Sequence, residues 1–257
     1  MAKLKFDFEQ DNSEIKRIYA YYLQIQNIDP ETTSDLNYIV DIILNDRSRF
    51  PTITIGKSDP QTPEKYIECW VNQYLSAKNN PPSRKNATNK GSCADPAVKL
   101  IVKNSQGLSP KKVDEGERYH NLYMSAENAQ GSLLEEYISI KTRPYGFLWC
   151  MGEIFRAVDF CNTEGTVLLQ IKNKFNTENS SSDQIRNGTV IQKWYRLGQK
   201  TKKGVIIPDY KWDILNTIVS DSRTEGNDLP NCNMSEDDYR AFLARVCFGH
   251  KRLISAF

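Results

Sequence analysis

An aspartate and a glutamine–lysine pair lie on two neighbouring segments that are predicted to form a β-hairpin. Asp159 lies towards the end of the first predicted strand, residues 154–161, and the second predicted strand covers residues 166–172. The intervening Asn162-Thr163-Glu164-Gly165 is typical of a hairpin turn. The spacing therefore predicts that the acid and the second strand lie on either side of one tight turn.

The second strand carries polar side chains at alternate positions. Because successive side chains of a strand point to opposite faces, Gln170, Lys172 and Lys174 are predicted to share one face. Polar groups on a central strand are costly to bury unless they are paired. A metal ion bound by Asp159 would account for this polar face, so the hairpin is a candidate metal-dependent site.

Several other catalytic classes lack the residues that they need. The two histidines, His120 and His250, are far apart and have no acid–nucleophile pattern beside them, which argues against a Ser-His-Asp triad or a histidine-rich metal site. The chain has no GxxxxGK[ST] loop and no GxGxxG motif after a strand, which argues against a nucleotide-driven enzyme. The six cysteines form no CxxC pair, so structural zinc is not expected and they are expected to act as small core residues.

Composition is that of an ordinary globular protein. Of the 257 residues, 39% are hydrophobic and 26% are charged. No apolar run approaches the roughly 20 residues that span a bilayer, and the N-terminus has no apolar signal segment. We therefore expect a cytoplasmic protein without membrane association and without disulfides.

Positive charge is concentrated in the centre of the chain, although the net charge is only +2. Residues 141–212 hold 12 Lys and Arg against 6 Asp and Glu, and residues 80–120 hold 8 against 4, whereas residues 1–79 hold 9 against 12. A surface that faces DNA requires such a block. A solvated basic face is the alternative interpretation.

Three helices are predicted in the first 79 residues. Apolar residues recur at helical spacing over residues 15–23, 36–44 and 66–75. The third helix is predicted to begin with Thr62 as N-cap and Pro63 in the first turn. The polar segment 79–92, which is rich in breakers, is predicted to be a loop.

The remaining chain alternates between helical and strand periods. Helical spacing is predicted for residues 110–140, for residues 182–197 and from Ser235 onwards, with the strand hairpin between the first two. The order of elements predicts a mixed α/β core behind a helical N-terminal part. We expect a helical region at 1–92 and the core at 93–257.

The hairpin resembles the PD-(D/E)XK nuclease motif, with Asp159 as the first acid and Gln170-x-Lys172 in place of acid-x-Lys. The resemblance implies a mixed central sheet flanked by helices, and Mg²⁺ held by Asp159 and Gln170. It also implies Lys172 as the catalytic lysine, which positions or deprotonates water. Two departures are Val158 for the proline and Gln170 for the second acid, and the latter removes one negative charge from the site.

The segment upstream of the hairpin resembles the G-x-x-x-E helix of many restriction endonucleases. Gly131 and Glu135 match that pattern, which implies Glu135 as an auxiliary metal ligand and catalytic residue. Glu136 is the first alternative for this position. Glu153 is the second.

The segment downstream of the hairpin resembles the SinI/AvaII-type restriction endonucleases. The resemblance covers roughly residues 130–197 and includes the Lys193-Trp194-x-Arg196 pattern. Trp194 is expected to be a core residue. Side chains that suit phosphate or base contacts are Lys174, Asn179, Ser180, Ser181, Ser182, Arg186, Thr189, Lys193 and Arg196.

The resemblance implies a type II restriction endonuclease that cuts double-stranded DNA in a Mg²⁺-dependent hydrolysis. It implies a short site of the GGWCC kind, and a symmetric site favours a homodimer. A cognate DNA methyltransferase is expected as a partner of the restriction–modification system and not as a bound subunit. The alternatives are a repair or resolvase-type nuclease on the same core and a DNA-binding protein on a decayed nuclease core.

Overall fold

The computed structural model describes residues 1–86, 95–174, 190–223 and 228–254. The chain forms two compact units. The first comprises Met1–Asn80 and Ile138–Glu236, and the second comprises Pro81–Tyr137 and Asp237–Phe257. This grouping does not follow the predicted boundary at residue 92, and that boundary stays a prediction.

The three predicted N-terminal helices are present in the first unit as α1 (Asn12–Gln26), α2 (Pro30–Asn45) and α3 (Pro63–Asn79). The Thr62 side chain accepts a hydrogen bond from the Lys65 N–H, which confirms the predicted cap. A small antiparallel sheet, β1 (Ala2–Leu4) with β2 (Ile53–Ile55), lies beside them in this unit. Short 3₁₀ turns cover Arg47–Arg49, Pro82–Arg84, Arg143–Tyr145 and Met151–Glu153.

The first unit also contains a five-stranded mixed sheet in the order β3-β4-β5-β6-β7. Only β5 and β6 run parallel, and the other neighbouring pairs are antiparallel. This sheet and the helices confirm a mixed α/β architecture. The strands are β3 (Phe147–Trp149), β4 (Phe160–Asn162), β5 (Leu168–Lys174), β6 (Ile191–Lys202) and β7 (Val205–Tyr210).

Two predictions about secondary structure were wrong. The helix predicted over residues 182–197 is strand β6 from Ile191 onwards, because pairing beside β5 overrides an apolar spacing that fits both periods. The first strand of the hairpin is only three residues long, β4, and its predicted start at Ile154 is a tight turn. The residues 182–189 of that predicted helix lie outside the described residues.

The remaining helices are α4 (Pro96–Gln106), α5 (Pro110–Thr142), α6 (Trp212–Asp221) and α7 (Glu236–Gly249). The long helix predicted over 110–140 and the final helix predicted from Ser235 are confirmed as α5 and α7. In the second unit, Tyr137 of α5 packs against Tyr239 and Phe242 of α7. No helix within the described ranges combines the length and hydropathy needed to cross a membrane.

One buried core in the first unit joins the N-terminal helices to the sheet. Trp70 of α3 is fully buried, and its indole Nε1–H donates to the Ile154 carbonyl at 2.7 Å. Cys150 and Cys161 belong to this core and Cys232 is buried, as predicted for the cysteines, whereas the prediction was wrong for Cys247, which is exposed. Helix α3 therefore supports the segment that precedes β4 and Asp159.

Candidate active site

The hairpin turn brings Asp159 to β5. The Asn162 carbonyl accepts from the Gly165 N–H at 3.0 Å, and the Asn162 side chain accepts from the Val167 N–H at 2.8 Å. Gly165 closes the turn with φ +70°. Register then pairs Phe160 with Leu169, which confirms the predicted hairpin and places Asp159 beside the middle of β5.

Asp159 is held by two backbone hydrogen bonds to β5. Its N–H donates to the Leu169 carbonyl at 2.8 Å, and its Oδ2 accepts from the Ile171 N–H at 2.6 Å. One lone-pair direction of the carboxylate is thus occupied by the sheet, and among the described residues no hydrogen bond occupies the other oxygen.

Electrostatics around Asp159 identify its charged neighbours. Burial raises the pKa of its carboxyl group, against the Ile171 N–H and the charge of Lys172, which lower that pKa. The charge of Glu153 raises it further. Lys172 and Glu153 are therefore the neighbouring cation and the neighbouring acid whose charges act on the Asp159 carboxyl group.

Gln170 presents a buried oxygen that lacks a partner. The residue is only 9% exposed, and its Oε1 accepts no hydrogen bond from any described residue. Native structures rarely leave such an atom unsatisfied, because the desolvation of a polar group without a hydrogen bond costs about 1–3 kcal/mol. A hard cation would satisfy Oε1, so the donor set of Asp159 and Gln170 fits Mg²⁺.

Strand β6 adds two residues to the face that carries Gln170 and Lys172. The parallel register pairs Gln170 with Lys193 and Lys172 with Tyr195. Because residues opposite one another share a face of the sheet, Lys193 and Tyr195 flank the candidate site. Sequence reasoning assigned Lys193 to DNA contact only and missed Tyr195, since the segment was predicted to be helical and no local signal reveals a parallel register.

The turn that precedes Asp159 is conformationally strained at Glu153 and Ala157. Both have positive φ, +57° and +64°, a conformation that non-glycine residues adopt rarely and that costs of order 1–3 kcal/mol. Gly152, at φ +74°, lies so close to α3 that a Cβ there would be 2.5 Å from the Gln73 carbonyl oxygen. Packing against α3 therefore holds Glu153 in its place, and such strain is concentrated at functional sites.

Other predicted residues have distinct surroundings. Glu135 lies on α5 in the second unit, so its predicted proximity to Asp159 stays a prediction. Glu136, the alternative to Glu135, accepts hydrogen bonds from the N–H and the hydroxyl of Ser83 in the same unit. The carboxylate of Glu136 thus has a structural role, which is to bind Ser83.

Arg196 lies on the face of the sheet opposite Lys172. It is only 4% exposed, and its guanidinium pairs with Glu236 at 2.6 Å and donates to Asn173 Oδ1 at 2.9 Å. These contacts favour a structural role over a contact with DNA. Trp194 on the same face is buried and donates to the Lys211 carbonyl at 2.8 Å, as expected of a core residue.

Most of the other predicted DNA contacts cannot be placed. Lys174 is exposed at the end of β5. The residues Asn179, Ser180, Ser181, Ser182, Arg186 and Thr189 lie outside the described residues. No group of three or more His, Cys, Asp and Glu side chains forms a metal-binding cluster in the part of the chain that the structure describes.

Comparison with known proteins gives consistent matches over most of the chain. The family model of the SinI restriction endonuclease matches residues 27–228. The type II restriction enzyme SinI of Salmonella infantis is 30% identical over 226 residues, covering 86% of this chain and 89% of the relative. The type II restriction enzyme Eco47I of Escherichia coli is 31% identical over 233 residues, covering 84% and 87%.

Proposed function

Because this chain belongs to the SinI restriction endonuclease family, and is therefore a site-specific endonuclease, we propose that it hydrolyses phosphodiester bonds of double-stranded DNA in a Mg²⁺-dependent reaction. The observation that carries the proposal is the buried Asp159 carboxylate beside the unsatisfied Gln170 oxygen and the Lys172 ammonium on one sheet face. The mixed sheet and this hairpin support a PD-(D/E)XK-type core.

In the proposed site, Asp159 and Gln170 hold the metal through oxygen atoms. A bound Mg²⁺ would lower the pKa of a coordinated water and offset charge on the scissile phosphate. Lys172 lies two residues from Gln170 on the same face, where its ammonium orients the attacking water and adds positive charge near the phosphate. A bound cation would stabilise the ionised carboxylate of Asp159 and so lower its raised pKa, and metal binding and ionisation of this carboxyl group would therefore assist each other.

The site lacks one negative charge because Gln170 is neutral. Glu135 stays our proposal for the auxiliary catalytic and metal-binding acid on the strength of its G-x-x-x-E pattern. Glu153 has an independent claim, because its charge acts on Asp159 within the same unit. Glu136 is the weakest of the three, since Ser83 already occupies its carboxylate.

The proposed substrate is duplex DNA with a short palindromic or near-palindromic site, GGWCC-like by the family resemblance. We propose a homodimer, because a two-fold protein matches a two-fold site. We propose DNA contacts by Lys174 and Lys193 among the described residues, together with the segment 179–189. A cognate methyltransferase would protect host DNA as a separate protein.

Family membership disfavours the two alternatives, a structure-selective repair nuclease and a catalytically decayed DNA-binding protein, although the neutral Gln170 removes one negative charge from the site. Incubation of the protein with plasmid DNA and Mg²⁺ separates the candidates. A restriction enzyme yields discrete bands, a structure-selective repair nuclease yields nicks at irregular structures, and a decayed core binds without cutting. The variant Lys172→Ala is the matched control for contaminating nucleases, and discrete bands from that variant would contradict the proposed site.

A further inference from the structure

Among the described residues, strands β6 and β7 extend beyond the rest of the sheet as a two-stranded ribbon. The last described pairing of β5 is Lys174 with Leu197, and from Gly198 to Lys202 strand β6 pairs with β7 alone among the described residues. Five residues of strand correspond to about 16 Å. We define residues 198–209 as the β6–β7 ribbon.

The ribbon is closed by a two-residue turn. Lys203 and Gly204 have φ of +49° and +77°, and Lys202 pairs with Val205 directly across the turn. Positive φ at both central residues is the type I′ geometry, which matches the right-handed twist of a hairpin. The ribbon is therefore a defined structural element with a rigid tip.

The ribbon exposes apolar and basic side chains together. Val205 is 61% exposed and Ile206 is 67% exposed. Lys202 and Lys203 at the tip have no salt bridge to any described acid, whereas Lys200 pairs with Asp209 at 3.1 Å. An unpaired basic tip complements a polyanion, and its apolar residues disfavour a purely solvated surface.

One face of the ribbon continues the face of the candidate active site. Strand periodicity places Gln199 and Thr201 on the same side of β6 as Tyr195, which pairs with the catalytic Lys172. Thr201 lies opposite Ile206 on this face, and Lys200 and Lys202 point to the other face. Polar side chains that can read bases are thus aligned with the catalytic residues, and lysines flank them.

We infer that the β6–β7 ribbon enters the major groove of the duplex, where Gln199 and Thr201 face base edges while Lys202 and Lys203 contact phosphates. The major groove admits a two-stranded β-ribbon, glutamine pairs with adenine through two hydrogen bonds, and threonine bonds to either a donor or an acceptor. The inference rests on the proposed function, since it names the surface with which this endonuclease reads its site.

The first experiment compares two ribbon variants with a charge-matched control. The variant Gln199→Ala/Thr201→Val is expected to reduce the ratio of affinities for cognate and random duplexes by about tenfold or more, because a good base contact discriminates by roughly that factor. The variant Lys202→Gln/Lys203→Asn is expected to weaken both affinities and to flatten the slope of log K against log salt by about 1.8, at about 0.9 per phosphate. Asn is used at 203 because it tolerates positive φ.

The control variant, Lys5→Gln/Lys57→Gln, removes the same charge from exposed lysines outside the ribbon. It should change neither the ratio of cognate to random affinity nor the slope of log K against log salt. The sequence of the cognate duplex is read from the DNA ends that the wild-type protein produces when it cuts a plasmid. If both ribbon variants keep the affinity ratio and the salt slope of the wild-type protein, and the wild-type protein cuts plasmid DNA, the inference is overturned and the proposed function still stands.

A second measurement uses the wild-type protein alone and does not depend on the folding of a variant. Acylation of lysines by an N-hydroxysuccinimide ester is followed by mass spectrometry with and without a random duplex in a Ca²⁺ buffer. Lys202 and Lys203 should be protected by DNA, whereas Lys5 and Lys57 should not. If plasmid is not cut at all, the proposed function fails, and protection of the tip still decides whether the ribbon binds DNA.

The exposed apolar residues at the tip also suit contact with a second copy of this chain. Analytical ultracentrifugation of Val205→Ser/Ile206→Ser tests it. A dimer that dissociates in this variant, with DNA affinity unchanged, would overturn the groove assignment. Unchanged oligomeric state with weaker DNA binding supports it.

Discussion

The two faces of the sheet at β5 and β6 bury polar groups in opposite ways. On one face, the guanidinium of Arg196 is enclosed by Glu236 and Asn173, so this buried charge has its partners within the chain. On the other face, Gln170 Oε1 has no described hydrogen-bond partner and the Asp159 carboxyl group has a raised pKa. The first face therefore carries a satisfied ion pair, and the second carries a buried polar atom that none of the described residues satisfies.

The comparison teaches that burial alone does not identify function. A buried ion pair whose members satisfy each other contributes modestly to stability and strongly penalises the loss of one partner. A buried carboxylate with a raised pKa and a buried amide oxygen without a hydrogen bond both reduce stability, and natural proteins retain such groups chiefly at sites of binding or catalysis. Substitutions on the two faces should accordingly affect different measurements.

The largest effect is expected from Lys172→Ala. Because the lysine acts on the transition state more than on bound DNA, cleavage should fall by about 10² to 10⁴-fold or more while specific binding is retained. Single-turnover cleavage and a binding isotherm in Ca²⁺ give the two values. Lys5→Ala, at an exposed lysine outside the candidate site, is the matched control. A cleavage rate for Lys172→Ala within about tenfold of wild type would remove Lys172 from the mechanism.

Loss of the metal ligand should be nearly as severe. Asp159→Asn leaves mostly neutral ligands, so Mg²⁺ should no longer support cutting at ordinary concentrations. A Mg²⁺ titration of cleavage by the variant measures this. Restoration of the wild-type rate at saturating metal would show that Asp159 is not the central ligand.

Arg196→Met should affect stability and not metal dependence. Removal of the guanidinium leaves the half-buried Glu236 carboxylate without the Arg196 cation, which costs up to about 3 kcal/mol. Urea unfolding measures the free energy, and the double variant Arg196→Met/Glu236→Gln should recover part of the loss. If Arg196→Met is as stable as wild type but does not bind DNA, Arg196 instead belongs to the DNA interface.

The identity of the third acid gives an effect of intermediate size. Glu153→Gln and Glu135→Gln remove one charge each without changing shape, and the acid that supports the metal should raise the Mg²⁺ concentration for half-maximal cleavage by about tenfold, as is typical of residues that support metal ligands. Glu136→Gln is the matched control on α5. A crystal structure with the Glu135 and Asp159 carboxylates more than about 10 Å apart would exclude Glu135 from the metal shell, because direct ligands lie about 2.1 Å from Mg²⁺.

The smallest effect concerns pH in the absence of metal. Burial raises the pKa of Asp159 above its unfolded value, so ionisation of this carboxyl group opposes folding as pH rises through and above the unfolded pKa of about 3.9. Asp159→Asn should therefore be more stable than wild type at neutral pH in EDTA, and the gain should vanish below pH about 3.5. Thermal unfolding at several pH values checks the sign.

Much of this protein was predictable from local patterns. The N-terminal helices follow from apolar spacing and from caps such as Thr62, and the hairpin with Asp159, Gln170 and Lys172 follows from a turn signal and period-two alternation. These features depend on residues within about a dozen positions of one another. Family resemblance over the same segment then indicated the activity.

The remaining features depend on non-local contacts. The sequence by itself determined that the acid, the amide and the lysine of the candidate site lie close together, because their spacing follows from one hairpin. Only the tertiary structure decided that residues 191–202 form a strand, since a parallel pairing with β5 joins segments that no local period connects. The tertiary structure also decided that Arg196 has buried partners whereas Gln170 Oε1 has none among the described residues. The reason is that side chains on a strand find their partners on residues such as Glu236, which lie far along the chain.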